Sequence, residues 1–185
     1  MDSSLPAAGI IANLQDEDRA ILASYGSFEF LPAGGVLIKQ GRPHGKLFCI
    51  TGGRLEARRE YDGSYDLLGS IVGGDWIGEV DIFDPSSAMC SVVAVEPSQY
   101  WQITREKLEE YLNSHNLPAV ILLIGLASTL GQRIRGITRK LAEQTEKAKY
   151  GSRDCEDPVI DDLAVKSAAD LAAAFLRQKD SFKRK

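Results

Sequence analysis

Residues 28–103 are written as short β-rich runs of four to seven residues, separated by glycine or proline, and this punctuation constrains the fold more than any other feature. The runs fall at 28–31, 36–39, 47–51, 55–61, 67–71, 91–95 and 99–103. Between them stand Pro32-Ala33-Gly34-Gly35, Gly41, Gly52-Gly53, Asp62-Gly63 and Gly73-Gly74. Strands of that length with turn signals at that spacing predict an antiparallel all-β sandwich or barrel. Asp62-Gly63 predicts a tight hairpin, because both residues tolerate positive φ.

Helical signals flank this region. Asp16-Glu17-Asp18, followed by Arg19, Ile21, Leu22 and Tyr25, predicts a short entry helix whose acidic first turn suits its macrodipole and which ends at Gly26. Thr104 is placed to cap a helix with Glu106 in its first turn and Leu108, Tyr111 and Leu112 as its apolar stripe, ending near Asn113. A longer helix follows, with Pro118 near its start, where a missing N–H costs little. Val120, Leu123, Ala127, Leu130, Ile134, Ile137 and Leu141 recur along it at alternating three- and four-residue spacing, the a and d positions of a coiled coil.

Up to Leu126 the positions off that seam are apolar as well (Ile121, Leu122, Ile124), whereas from Gln132 onward they are largely Arg, Gln and Lys. The first half of the helix is therefore expected to be covered on two sides, and the second half to pair with a second copy, giving a homodimer. Gly125, Gly131 and Gly136 each cost about 1 kcal/mol in a helix interior, which points to close approach of another backbone or a ligand. Tyr150-Gly151-Ser152 ends the helix, and a polar linker stopped by Pro158 leads to a last segment that Asp161 or Asp162 would cap. That segment carries Val165, Ala168, Ala172, Phe175 and Leu176 on one face. The chain thus divides into an N-terminal helical segment (1–27), a β domain (28–115), a long dimerisation helix (116–150) and a linker with a C-terminal docking helix or disordered tail (151–185).

Composition narrows the function classes. At 185 residues and 44% hydrophobic content the chain is long enough for a real core. No run approaches the ~18 apolar residues of a membrane span, the most apolar stretch, 119–130, being interrupted by Gly125, Ser128 and Thr129. Met1 to Ala12 has no basic region ahead of its apolar residues, so the expected compartment is the cytoplasm, without membrane insertion. Cys49, Cys90 and Cys155 share no metal-like spacing with one another or with His44 and His115, and read as free packing thiols with no metal site. His44 reads as a surface imidazole in a Pro43-His44-Gly45 turn.

The net charge of −4 is uneven: residues 1–130 hold nine Lys and Arg against seventeen Asp and Glu, and residues 131–185 hold thirteen against nine. A solvated basic helix face explains that excess, with nucleic-acid contact through the coiled coil and Lys183-Arg184-Lys185 as the other reading. Asp75, Glu79, Asp81 and Asp84 cluster without a histidine or metal partner and read as a solvated acidic loop. With no nucleophile–base constellation beside them, an enzyme is not expected.

One stretch stands out as a candidate site. Residues 73–94 begin with the turn Gly73-Gly74-Asp75, pass Gly78-Glu79 into a short apolar turn (Val80, Ile82, Phe83), and run through Asp84-Pro85-Ser86-Ser87 to Val92 and Val93. This is a loop and a single helical turn clasped between two strands. Free backbone N–H groups in such a turn make a small anion-binding concavity.

Five spaced segments, Leu31-Pro32-Ala33-Gly34, Ile38-x-Gln40-Gly41, Leu47-Phe48-x-Ile50-x-x-Gly53, Gly74-Asp75-x-Ile77-Gly78-Glu79 and Val92-x-Ala94, follow a known pattern in order and spacing. Over roughly residues 14–145 the chain resembles the cyclic nucleotide-binding domain of catabolite-activator-type regulators, protein kinase A regulatory subunits and cyclic nucleotide-gated channels. The resemblance implies a β-jelly-roll barrel with flanking helices, a phosphate-binding cassette at 78–91, and a long helix that closes over the ligand and dimerises. It makes Gly78, Glu79, Val80, Ala88, Met89, Cys90 and Ser91 the candidate ligand-binding residues, with Gly78 offering an amide and Glu79 a carboxylate for a ribose 2′-OH.

It also brings out a departure. Nine residues after the glutamate, where the family places an arginine that neutralises the cyclic phosphate, this chain has Ala88, followed by Met89 and Cys90 instead of small or hydroxyl residues. A guanidinium fork on a phosphate is a charge-assisted bidentate contact. Truncating one partner of a buried charged pair costs roughly 2–5 kcal/mol, about 30-fold to several thousand-fold in affinity. Arg133 and Thr138 stand on the long helix about where the catabolite-activator type presents an arginine and a hydroxyl residue, and are candidates to replace that contact.

The expected function is a non-enzymatic, dimeric regulatory or adaptor module that acts by protein–protein contact through its long helix or tail, with weak or altered binding of a cyclic nucleotide or another anionic nucleotide. Two alternatives stand: a sensor of cyclic AMP, cyclic GMP or a cyclic dinucleotide with a modified pocket, and a nucleic-acid-binding regulator using the basic C-terminal half. The fold also hosts sensors of haem and 2-oxoglutarate, so it does not by itself fix the ligand. The 35 residues after Tyr150 leave no room for the winged helix-turn-helix of catabolite-activator-type transcription factors.

Overall fold

A computed structural model of the chain describes residues 4–150; the linker and last helix expected over 151–185 lie outside the described residues. The described residues form two compact units divided between Val120 and Ile121.

In the first unit, a 3-10 turn at Gly9–Ile11 precedes α1 (Asp16–Ser24). The strands are β1 (Ser27–Leu31), β2 (Val36–Ile38), β3 (Lys46–Gly52), β4 (Arg54–Tyr61), β5 (Ser64–Val72), β6 (Trp76–Ile77), β7 (Ser91–Ala94) and β8 (Ser98–Thr104). Between β6 and β7 lies α2 (Glu79–Phe83); α3 (Arg105–Ser114) and α4 (Asn116–Tyr150) follow β8. Among the described residues the strands make two four-stranded antiparallel sheets, β1-β8-β3-β6 and β2-β7-β4-β5, the antiparallel sandwich that the punctuation predicts and the jelly roll that the resemblance implies.

Alternation along the strands builds the core. On β4, Leu55 and Ala57 face inward opposite Ala94 and Val92, whereas Glu56 and Arg58 lie on the other face. Ile38, Phe48, Ile50, Leu55, Ile71, Ile77, Val92 and Ala94 close this interior. A second apolar layer fixes the entry segment. Trp101 is fully buried, donates its indole N–H to the Ala23 carbonyl at 3.0 Å, and meets the Trp76 ring edge-on at 5.8 Å, with Ile11, Leu14 and Leu22 also buried.

Three local expectations are refined. β6 has only two residues and was not foreseen, since it exists through its pairing with Phe48 and Cys49. β5 is longer than the expected 67–71 because its partner β4 sets its length, while its own residues are nearly all exposed and carry no alternation. Asp62-Gly63 does close the hairpin, but Asp62 keeps a negative φ and only Gly63 enters the left-handed region.

Thr104 caps α3 as expected, its hydroxyl accepting the Lys107 N–H at 3.4 Å. Cys49 is a packing thiol: burial, and secondarily the Asp75 charge, push its pKa up to about 12, which keeps it protonated and unreactive.

Along α4, Ile121, Leu122 and Leu126 are buried, but the heptad seam is not: Leu123 is 37% exposed and Ile134, Ile137 and Leu141 are 63%, 67% and 61% exposed. By length and composition alone the helix segment Asn116–Thr145, through an 18-residue window of mean hydropathy 1.6, is long and apolar enough to cross a membrane. The expectation that no run reaches that length is corrected, because Gly125, Ser128 and Thr129 are weakly polar and leave the helix unbroken.

Candidate functional site

β6 delivers the chain to Gly78, which must reverse it into α2. Gly78 does so at φ 89°, ψ 6°, a left-handed conformation that a residue with a Cβ adopts only at a cost. Space forbids a side chain as well. A Cβ here would overlap the Lys46 carbonyl oxygen and lie 3.0 Å from His44 Cε1 and 3.3 Å from Phe48 Cδ2. Glu79, the first residue of α2, is only 3% exposed, so its carboxylate sits inside the fold rather than on a solvated loop.

Asp81 is the residue that the sequence reading missed. Expected on a solvated acidic loop, it is 5% exposed and its carboxylate clasps two segments together. One oxygen accepts the backbone N–H groups of His44, at 3.0 Å, and Gly45; the other accepts the Ser86 N–H at 2.9 Å. Burial works against its ionisation, but the Gly45, Ser86 and His44 amides outweigh burial and hold its carboxyl below the ordinary carboxylate range. An acid inside the otherwise apolar turn Val80-Asp81-Ile82 was the only signal available in the sequence.

His44 is corrected in the same way: its side chain is 15% exposed and its ring lies 5.6 Å from that of Phe48. Burial pushes its pKa below the ordinary value, against the pull of Asp81, so the ring is neutral at pH 7. Nδ1 accepts the Lys46 N–H at 3.3 Å, which places the proton on Nε2; the 3.5 Å approach of Nδ1 to Asp81 is then no ion pair.

The far end of the cassette is tied to the same connection between β2 and β3. The Gly41 N–H donates to the Ala88 carbonyl at 2.8 Å, and the Ala88 N–H donates to the Arg42 carbonyl at 3.1 Å. Ala88 packs against the sandwich core. Ser91 is fully buried and its hydroxyl accepts the Gln40 N–H at 3.0 Å. Of the seven cassette residues named from the sequence, Gly78, Glu79, Ala88 and Ser91 are thus built into the fold. Cys90 is half-buried, whereas Val80 and Met89 face solvent, Met89 being 70% exposed. Within 78–91 the only charged side chains are Glu79, Asp81 and Asp84.

In the second unit, Arg133 and Thr138 are both exposed on α4. The Thr138 hydroxyl donates to the Ile134 carbonyl at 2.9 Å.

Comparison with known proteins agrees with this geometry. Residues 28–115 match the family model described as the cyclic nucleotide-binding domain. Over 144 residues the chain is 26% identical to the CRP-like cAMP-activated global transcriptional regulator of Mycobacterium tuberculosis, covering 77% of this chain and 62% of that protein. The chain therefore spans less than two thirds of the length of the curated relative that it matches. Among solved structures it is similar to the N-terminal domain of a transcriptional regulator from Streptomyces coelicolor A3(2), with 27% identity and a TM-score of 0.61 over 72% of this chain and 95% of that one. The Thermus thermophilus catabolite activator protein shares the fold at 23% identity and a TM-score of 0.67, over 75% of this chain and 63% of that one.

Proposed function

We propose, from the premise that residues 28–115 are a cyclic nucleotide-binding domain, that this chain is a non-enzymatic cytoplasmic regulatory module that binds a nucleotide in an altered cassette and acts through its long helix. The observation that carries this reading is the pair at 78 and 79: a glycine held left-handed where no side chain fits, followed by a glutamate buried in the first position of α2. That pair serves the diol of a ribose, and its position relative to the 41–46 connection is fixed at both ends by Asp81 and Ala88. The ligand favoured by the domain is a cyclic nucleotide, bound more weakly than where an arginine stands at position 88.

Isothermal titration of cyclic AMP, cyclic GMP and a cyclic dinucleotide into the full chain tests this reading. At least one should bind saturably. Glu79→Gln, which keeps shape and removes charge, should lower that affinity on the order of tenfold or more, the worth of hydrogen bonds to a charged group. Equal binding by the variant would remove the cassette from the account.

The output side rests on α4. Ile134, Ile137 and Leu141 continue the a/d seam of Val120, Leu123, Ala127 and Leu130 and are largely uncovered in one chain, an arrangement that pairing with a second copy would bury. Sedimentation equilibrium should find a dimer at micromolar concentration, and the double substitution Ile134→Asp, Ile137→Asp should convert it to monomer. A monomeric parent chain would contradict the pairing.

A further inference from the structure

Resting on the reading of 78–91 as a ligand cassette, we propose that Arg42 supplies the cation that position 88 lacks, so that the site takes a ribose phosphate ester with Glu79 at its hydroxyl and the Arg42 guanidinium at its phosphate. The argument begins with the backbone. Gly41 stands at φ 76°, and with its N–H on the Ala88 carbonyl and the Ala88 N–H on the Arg42 carbonyl, two residues of one segment oppose a single residue of the other. This is a glycine bulge, a device that shifts the local register by one residue and re-aims the side chain that follows the glycine. Arg42 therefore stands directly across from Ala88, where opposed residues approach within side-chain reach.

The bulge is held firmly. The Arg42 N–H donates to the Lys39 carbonyl at 3.1 Å, the Gln40 N–H is bound by Ser91, and the Gln40 amide both donates to and accepts from the Glu60 backbone, at 3.1 and 2.8 Å. A rigid mount of this kind lowers the entropy that an arginine would lose on binding.

The guanidinium itself is available. Arg42 is exposed, and among the described residues its side chain makes no hydrogen bond or ion pair. Three neighbouring cations are engaged: Lys39 pairs with Glu60, Arg58 lies on Glu56 and over the Tyr65 ring, and Lys46 donates to Gln102. Chemistry requires some cation here, because Glu79, Asp81 and Asp84 would otherwise repel an entering phosphate. Arg42 offers five donors in a fork that matches phosphate oxygens.

Titration calorimetry with two probes, cyclic AMP and adenosine, tests the assignment on the full chain. Arg42→Ala should lower cyclic AMP affinity on the order of tenfold or more and leave adenosine affinity and the melting temperature unchanged. Adding Ala88→Arg to that variant should restore cyclic AMP binding, since the charge moves only across the bulge. Cyclic AMP affinity unaffected by Arg42→Ala, while Glu79→Gln weakens it, would overturn the assignment and leave the cassette standing. Equal loss of both probes in Arg42→Ala would overturn it too, as a positional effect. Absence of binding by either probe to the parent chain would overturn the cassette reading and this assignment together.

Discussion

Replacing Gly78 by alanine is expected to lower the stability of the sandwich by about 3–4 kcal/mol and to abolish the proposed nucleotide binding in whatever remains folded. Two costs combine. An L-residue in the left-handed region loses about 1–2 kcal/mol, and the added methyl must displace the Lys46 carbonyl, which belongs to β3 and cannot yield without breaking its pairing with β8. A loss of that size removes a large part of the 5–15 kcal/mol that ordinarily separates folded from unfolded domains. Urea denaturation followed by tryptophan fluorescence measures it; a shift below about 1 kcal/mol would mean that the β6–α2 junction relaxes around a side chain and is not the fixed point described above.

The second large effect concerns Asp81. Asp81→Ala removes the acceptor of the His44, Gly45 and Ser86 amides, and should destabilise the domain by about 2–4 kcal/mol: hydrogen bonds to a charged group are worth about 1.5–3 kcal/mol each, the donors here are only partly buried or exposed, and such terms do not add fully. Asp81→Asn, which keeps one acceptor, should lose less. The pH dependence has a definite sign. The folded-state pKa of Asp81 is depressed, so its contribution is fully present above the ordinary carboxylate value near 4 and is lost as pH falls from there through the depressed value. Thermal melts at descending pH should therefore show the parent chain losing stability faster than Asp81→Asn. Parallel curves for the two would show that the clasp is electrostatically silent.

The contrast between Gly78 and Asp81 shows how far the sequence carries. Strand positions, the Thr104 cap and the Gly78-Glu79 pair were legible because each depends on local rules: alternation, capping chemistry, a turn that demands glycine. Asp81 was read as a solvated acid because its partners lie 36 and 37 positions earlier in the chain, and only the meeting of the 43–45 turn with α2 turns a polar residue into a buried clasp. The burial of His44 is hidden from the sequence for the same reason. β6 escaped notice because two residues hold no periodicity of their own. The alanine at position 88, where the resemblance implies an arginine, is legible in the sequence, but Arg42 opposite it is not, since a bulge at Gly41 can be recognised only once the two segments are paired.

The seam on α4 is an intermediate case. Its heptad spacing was legible and its exposure in a single chain agrees with that spacing, yet what covers it is decided by assembly.

The most direct measurement is a crystal structure of the full chain grown with cyclic AMP well above its measured dissociation constant. The account predicts a ribose hydroxyl on the Glu79 carboxylate and the phosphate within hydrogen-bond distance of the Arg42 guanidinium, beside Ala88. Cyclic AMP lodged elsewhere, or bound with its phosphate turned away from the 42–88 pair and no contact to Glu79, would contradict it.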